Sequence, residues 1–181
     1  MLNRRNFIKT SVLAGALPAL TAMPFSHAND PAILTISDGA CSAMRAFARA
    51  RGTPVYGVDA AHRGGAFAAN KAHYWCGLTR DSDYFILAQL AARHGYRSAY
   101  VGVHDYRDGT LHHRFRGAHH ALVLLSAAIT TAPAQWPQLL AHAVPLLVAG
   151  ETSDQQIELR SALTRPADSG GYLVSWCLHA A

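Results

Sequence analysis

The chain has 181 residues, of which 50% are hydrophobic and 15% charged, and its formal net charge is +5. This composition excludes an intrinsically disordered chain, and its 3 cysteines and 14 glycines exclude disulfide-dense and collagen-like proteins. The length fits one domain with a substantial hydrophobic core.

The N-terminal segment has the features of an export signal. Arg4 and Arg5 lie in the run NRRNFIK at residues 3–9, which resembles the twin-arginine (Tat) export motif, with Asn in place of Ser/Thr and Ile in place of Leu. The apolar run that follows is too short and too weakly apolar for a permanent membrane span. The run SHA at residues 26–28 then places small residues where a signal peptidase cleaves.

We therefore expect residues 1–28 to be a cleaved twin-arginine signal peptide and residues 29–181 to form a single domain. An amphipathic N-terminal helix or a retained membrane anchor is the alternative interpretation. The resemblance implies that the Tat translocase exports the protein in a folded state to the periplasm, with a cofactor already inserted, with a co-exported partner, or because it folds too fast for threading.

Charge gives no indication of a nucleic-acid partner. The predicted signal peptide holds three of the 16 lysines and arginines and none of the 11 acids, so the remaining chain has a net charge of +2. These charges form no basic stripe, and we expect no nucleic-acid binding.

Three cysteines, Cys41, Cys76 and Cys177, would reside in an oxidising compartment after export. They allow one disulfide with one remaining thiol, or three buried thiols, and their spacing favours no pair.

Strands and helices alternate along the predicted domain. We expect strands at residues 32–37, 54–58, 73–78, 97–105, 111–116 and 172–178. We expect helices at residues 41–51, 118–130, 135–148 and 155–163, a short one within 60–71, and one that begins at a Thr79 or Ser82 cap and stops at Gly95. The last strand is apolar on both faces, which predicts that it is covered on both sides.

This order predicts the α/β class, specifically a compact three-layer Rossmann-like or flavodoxin-like sandwich. We expect a mostly parallel sheet, with the hairpin at Asp108-Gly109 and the final strand adding antiparallel edges.

The middle third of the chain also carries a family resemblance. The run GLT at residues 77–79, the helix YFILAQLA at 84–91, and HGYR at 94–97 before a strand that reaches His104 resemble a group of small twin-arginine-exported proteobacterial proteins. That group has no assigned activity, so the resemblance implies an exported α/β protein and transfers no catalytic residue.

Polar side chains follow the ends of the predicted strands. Ligands bind open parallel sheets beyond the carboxyl ends of the strands, so these residues are candidates for one crevice. The candidate ligand-binding residues are Asp38, Asp59, Arg63, Thr79, Arg80 and His104. Each aspartate has a structural alternative as a turn former or helix cap.

Histidines are concentrated in and after the hairpin, with five of the 11 between His104 and His120. A two-residue turn at Asp108-Gly109 places His113 opposite His104. With Asp105, these two imidazoles suit a transition metal such as zinc, copper or iron. The alternative is a solvated hairpin surface rich in His and Arg, and the spacing matches no established ligand signature.

No catalytic motif is present, since the chain lacks a phosphate loop, Gly-x-Ser-x-Gly, Cys-x-x-Cys and His-Glu-x-x-His. We therefore predict a periplasmic ligand-binding or accessory protein that serves a small ligand or a co-exported partner. The first alternative is a small metal-dependent enzyme or redox protein that uses His104, His113 and Asp105. The second is an interaction protein that docks through the apolar segment 121–148.

Overall fold

The structure is a computed structural model that describes residues 33–53, 55–63, 65–70, 72–149, 155–163, 165–169 and 171–181. The predicted signal peptide and its cleavage site lie outside these residues.

The described residues form a sheet of seven strands. The strands are β1 Ile33–Ile36, β2 Val55–Tyr56, β3 Tyr74–Arg80, β4 Tyr96–Arg107, β5 Thr110–Gly117, β6 Gln155–Ser161 and β7 Leu173–Ala180. The helices are α1 Ser42–Arg51, α2 Val58–His62, α3 Gly65–Ala69, α4 Asp81–Arg93, α5 His119–Thr131 and α6 Trp136–Ala149, with a 3-10 turn at Pro133–Gln135.

The strand order is β2-β1-β3-β7-β4-β5-β6. Only β1 pairs in parallel, with β2 and β3, whereas β7 is antiparallel to β3 and β4, and β5 is antiparallel to β4 and β6. The α/β class is confirmed, but the expectation of a mostly parallel sheet is wrong. The reason is that β7 returns from the end of the chain and inserts between β3 and β4.

The final strand is therefore central and not an edge strand. Its residues from Leu173 to Leu178 are all buried, which confirms the prediction of cover on both sides. A strand with two apolar faces is most stable where helices pack on each of them.

Helices form a layer on each face of the sheet. One core contains α1, α5 and α6 packed over one face, around Phe47, Leu125 and Leu140. The other core contains α2, α3 and α4 packed over the opposite face of β1, β3 and β7, around Phe67, Trp75 and Trp176. On this second face, α4 reaches β4, whereas β5 and β6 carry exposed side chains between residues 112 and 160.

The β4–β5 hairpin follows the register expected from its turn. His104 pairs with His113 and Asp105 pairs with His112, so that prediction is confirmed. The turn residues Asp108 and Gly109 have φ angles of 49° and 74°, the left-handed conformation that a two-residue hairpin turn requires.

Two local predictions are wrong. The segment expected as a helix at residues 155–163 is the strand β6, because half-buried Ile157 and Leu159 alternate with exposed neighbours and pair with β5. Helix α4 begins after Arg80 without a side-chain cap, so neither Thr79 nor Ser82 caps it.

Candidate functional site

The predicted histidine pair lies inside the hairpin, on the face covered by α6. His104 and His113 are each 1% exposed, and their Nδ1 atoms lie 2.8 Å apart in a hydrogen bond. One Nδ1–H donates and the other Nδ1 accepts, so the bond requires opposite tautomers on the facing nitrogens. The Trp136 ring stacks on His104 with centroids 4.3 Å apart, which fixes the imidazole plane.

Hydroxyl groups extend this buried network along β4 and β7. The Nε2 atom of His104 lies 2.8 Å from the Ser175 Oγ, which is 2.9 Å from the Tyr100 hydroxyl. The Ser175 hydroxyl also lies 3.3 Å from the Gly102 carbonyl oxygen. The Nε2 atom of His113 is buried without a hydrogen-bond partner among the described residues.

Burial keeps both imidazoles neutral. Desolvation, and then the neighbouring His113, hold the pKa of His104 well below 6.5. Desolvation, and then His112, lower the pKa of His113 to about 3. Both side chains therefore remain uncharged near neutral pH, where they form hydrogen bonds and pack against their neighbours.

The structure brings together two of the three predicted metal ligands. Successive residues of a strand face opposite sides, so Asp105 lies on the other face of β4 from His104. There its carboxylate forms an ion pair with Arg107. Within the described residues, no three His, Cys, Asp or Glu side chains are grouped to hold a metal ion. His104 and His113 therefore belong to a buried hydrogen-bonded network with Ser175, and Asp105 is not part of it.

The predicted crevice residues either have local bonding partners or are exposed. Asp38 accepts the Ala40 N–H at 2.8 Å, a local turn bond, and buried Thr79 accepts the Trp176 Nε1–H at 3.1 Å. Asp59, Arg63 and Arg80 are exposed. Among the described residues, none of these five forms a hydrogen bond or ion pair with another of them or with His104. For Asp38, the observed bond is the one expected of a turn former.

The carboxyl edge of the sheet instead carries an acid that sequence analysis missed. Asp168 accepts hydrogen bonds from the Ser42 N–H at 2.9 Å, the Ser42 hydroxyl at 2.8 Å and Arg45 Nη2 at 2.8 Å. The Ser42 hydroxyl contributes most to a lowered pKa of the Asp168 carboxyl, and Arg45 contributes further. Asp168 thus joins the loop before β7 to the start of α1.

The open face of β4, β5 and β6 carries a cavity of about 420 Å³. Its polar lining consists of three arginines, three acids and two histidines: Arg107, Arg114, Arg160, Asp105, Asp108, Glu158, His112 and His113. This volume lies in the range of small-molecule sites, roughly 300–1,000 Å³, although the lining is far more charged than is usual.

Strand register places these charges side by side. Asp105 pairs with His112, which pairs with Arg160, and these three residues share the open face. In the next row of the same face, Arg114 pairs with Glu158. The prediction of a hairpin surface rich in His and Arg describes half of this site, and the rest comes from β6.

The charges of the cavity are unevenly compensated. The Asp105 carboxylate is ion-paired with Arg107, and the Glu158 Oε1 accepts a hydrogen bond from the Gln156 amide at 3.2 Å. The structure places neither Arg114 nor Arg160 in an ion pair within the part of the chain that it describes. Two guanidinium groups therefore face the cavity with donors free for a ligand. We call the open face of β4–β6 around Arg114 and Arg160 the arginine cavity.

Sequence analysis missed the arginine cavity because it depends on β6. The available signal was the alternation of polar and apolar residues at 156–160, which has the period of a strand.

Among the described residues, no helix combines the length and apolar character needed to cross a membrane. Comparison of the chain with protein-family models, curated proteins and solved structures gives no match.

Proposed function

We propose that this chain is an exported, periplasmic binding protein that holds a small anionic metabolite in the arginine cavity. One observation carries the proposal: Arg114 and Arg160 line this cavity without an ion-pair partner among the described residues, whereas Asp105 and Glu158 are bonded to other side chains. Arginine is well suited to carboxylate and phosphate groups because its planar fork donates two parallel hydrogen bonds.

Size and charge narrow the ligand class. A volume of about 420 Å³ exceeds the needs of a single inorganic ion and suits a metabolite of several carbon atoms. The acids Asp108 and Glu158 at the same cavity accept hydrogen bonds, so the ligand would also carry hydroxyl or amino donors. A hydroxylated carboxylate or a sugar phosphate meets both requirements.

Calorimetric titration tests this proposal with citrate, glucose 6-phosphate and inorganic phosphate as anions, and glucose as the neutral control. We expect one of the organic anions to bind, with an affinity that falls as salt is added. Arg114→Gln and Arg160→Gln should each weaken that binding at least about tenfold, since each removes a charge-assisted hydrogen bond.

Arg93→Gln is the matched control, because Arg93 is an exposed arginine in the last turn of α4, away from the cavity. Its affinity should equal that of the wild type. Absence of binding by all three anions, or equal loss in all three variants, would contradict the proposal.

Export is the second part of the proposal and is supported by the NRRNFIK run. Replacement of Arg4 and Arg5 by lysine keeps the positive charge but removes the twin arginines. We expect the precursor of this double variant to remain in the cytoplasm while the wild type appears in the periplasm as a shorter chain that begins at Asn29. Normal export of the double variant would contradict the assignment to the Tat pathway.

A further inference from the structure

Two of the three cysteines lie opposite each other on central strands. Cys76 of β3 pairs with Cys177 of β7 in the antiparallel register, and both residues are at most 1% exposed. Directly opposed residues of antiparallel strands project to the same face, with Cα atoms about 4.5–5.5 Å apart. Disulfides span Cα separations of about 4.4–6.8 Å, so this position suits a cross-strand disulfide.

Cys41 is remote from this pair. It lies at the start of α1 beside Tyr106, whose pKa is raised by burial and then by Cys41. Cys177 pairs instead with Tyr100, six residues earlier on β4. At about 3.3 Å per residue, Tyr100 and Tyr106 are separated by about 20 Å, beyond the reach of a disulfide.

A buried arginine accompanies the cysteine pair. Arg51, at the end of α1, is 2% exposed and donates from Nη1 to the Ala141 carbonyl at 3.2 Å. It forms no ion pair with a carboxylate among the described residues. Its guanidinium acts on both thiols and opposes the effect of burial, which nevertheless raises the pKa of Cys76 and of Cys177.

We infer that Cys76 and Cys177 form the one disulfide of this protein under oxidising conditions, and that Cys41 is the remaining thiol. The oxidant is a disulfide of the glutathione type. One cysteine thiolate attacks that disulfide, forms a mixed disulfide and releases one thiol. The second cysteine then attacks the bound cysteine sulfur and releases the other thiol. Two thiol protons leave the protein, and its two electrons reduce the oxidant's disulfide to two thiols.

The proposed disulfide would fix the position of the last strand in the sheet. Since both thiols are buried in the folded protein, thiol–disulfide exchange takes place before β7 inserts between β3 and β4, or when β7 transiently separates from these strands. The disulfide then links β7 to β3 and holds the C-terminal strand in place. This inference is independent of the ligand and relies on export only for the oxidising compartment.

Peptide mapping of the wild-type chain tests the pairing directly. The denatured, reduced protein is refolded with oxidised and reduced glutathione, alkylated and digested with trypsin. The sequence places the three cysteines on separate peptides, ending at Arg45, spanning 72–80 and spanning 161–181. We expect the peptides 72–80 and 161–181 to be linked, and the peptide ending at Arg45 to be alkylated. A link to the peptide ending at Arg45, or three alkylated cysteines, would overturn the inference.

Thermal unfolding gives a second measurement that distinguishes a bond from mere proximity. Reductant should lower the Tm of the oxidised wild type by about 5 °C or more, and that of Cys41→Ser equally. The Tm of Cys177→Ala should not respond to reductant. An equal Tm for the wild type with and without reductant would contradict a stabilising disulfide.

Discussion

The two faces of the β4–β5 hairpin show how one stretch of chain supports two different environments. On the buried face, His104 bonds to His113 and to Ser175, and desolvation holds the pKa of each histidine below its usual value. On the open face, Arg114 and other ionisable side chains line a cavity. The adjacent β5 residues His112 and His113 thus lie in different environments, because the side chains of a strand alternate between its two faces.

The comparison separates polar groups that stabilise the fold from those available to a ligand. In the buried network almost every polar atom has a partner inside the protein, so removing one side chain leaves another without its bond. In the arginine cavity, Arg114 and Arg160 are exposed, so we expect their removal to leave the fold intact and to change only the proposed binding.

The largest expected effect is the loss of folding stability in acid, which comes from the buried face of the hairpin. The pKa of His113 is about 3 in the folded protein and about 6.5 in the unfolded chain, so the unfolded state binds more protons between these values. The contribution to stability is complete above pH 6.5 and is lost as the pH falls towards 3, at about 1.4 kcal/mol per pH unit for each such histidine. Urea unfolding at a series of pH values measures this slope.

His120→Gln is the control for the acid experiment, because it changes an exposed histidine in the first turn of α5, outside the buried pair. We expect its slope to match that of the wild type, whereas His113→Gln should flatten the slope. Equal slopes in the wild type and His113→Gln would show that the buried pair does not determine acid stability.

Removal of one buried imidazole gives the next largest effect. His104→Ala leaves a cavity beside Trp136 and removes the bonding partner of the His113 Nδ1 and the Ser175 hydroxyl. We expect a loss of about 3 kcal/mol in the free energy of unfolding at neutral pH. His112→Ala on the open face should cost less than about 0.5 kcal/mol. Similar losses in the two variants would remove the distinction between the faces.

A methyl group added to the buried face should also destabilise the protein. A Cβ at Gly102 would clash with the Tyr100 hydroxyl and lie 2.5 Å from the Ser175 Oγ. Gly102→Ala is therefore expected to cost about 2 kcal/mol, measured by chemical denaturation. Gly65→Ala is the matched control, since no atom lies within 4 Å of the added Cβ. Tolerance of Gly102→Ala would show that the buried network is loosely packed.

The smallest expected effect on stability lies in the arginine cavity. Arg160→Gln removes an exposed charge without an ion-pair partner among the described residues, and we expect the free energy of unfolding to change by less than about 0.5 kcal/mol. Thermal unfolding without ligand measures this change. A loss above about 1 kcal/mol would assign Arg160 to the fold and not to a ligand.

Local signals in the sequence were sufficient to predict the β4–β5 hairpin and its register. The Asp108-Gly109 pair predicts a two-residue turn, and that turn fixes the partner of His104. The same reasoning could not place β7, because its apolar faces predict burial but not the two strands between which it inserts. That position results from long-range packing, and it makes most of the sheet antiparallel.

Only part of the candidate site could be predicted, because the rest also depends on long-range strand pairing. The charged residues of β4 and β5 were recognisable as a polar surface, but the rows that they share with Glu158 and Arg160 require β6 to pair with β5. The crevice prediction assumed that β3 and β4 are neighbours, but β7 inserts between them and separates the end of β4, with His104, from the ends of β1, β2 and β3. Asp168 illustrates the same limit, since its partners Ser42 and Arg45 are more than 120 residues away in the chain.

The measurement that tests the central claim most directly is an NMR titration that follows the arginine Nε–H resonances as citrate or glucose 6-phosphate is added. We predict that the signals of Arg114 and Arg160 shift and saturate with one of these anions, while that of Arg93 stays in place. Equal small shifts of all three arginines, or no shift with either anion, would contradict a ligand site in the arginine cavity.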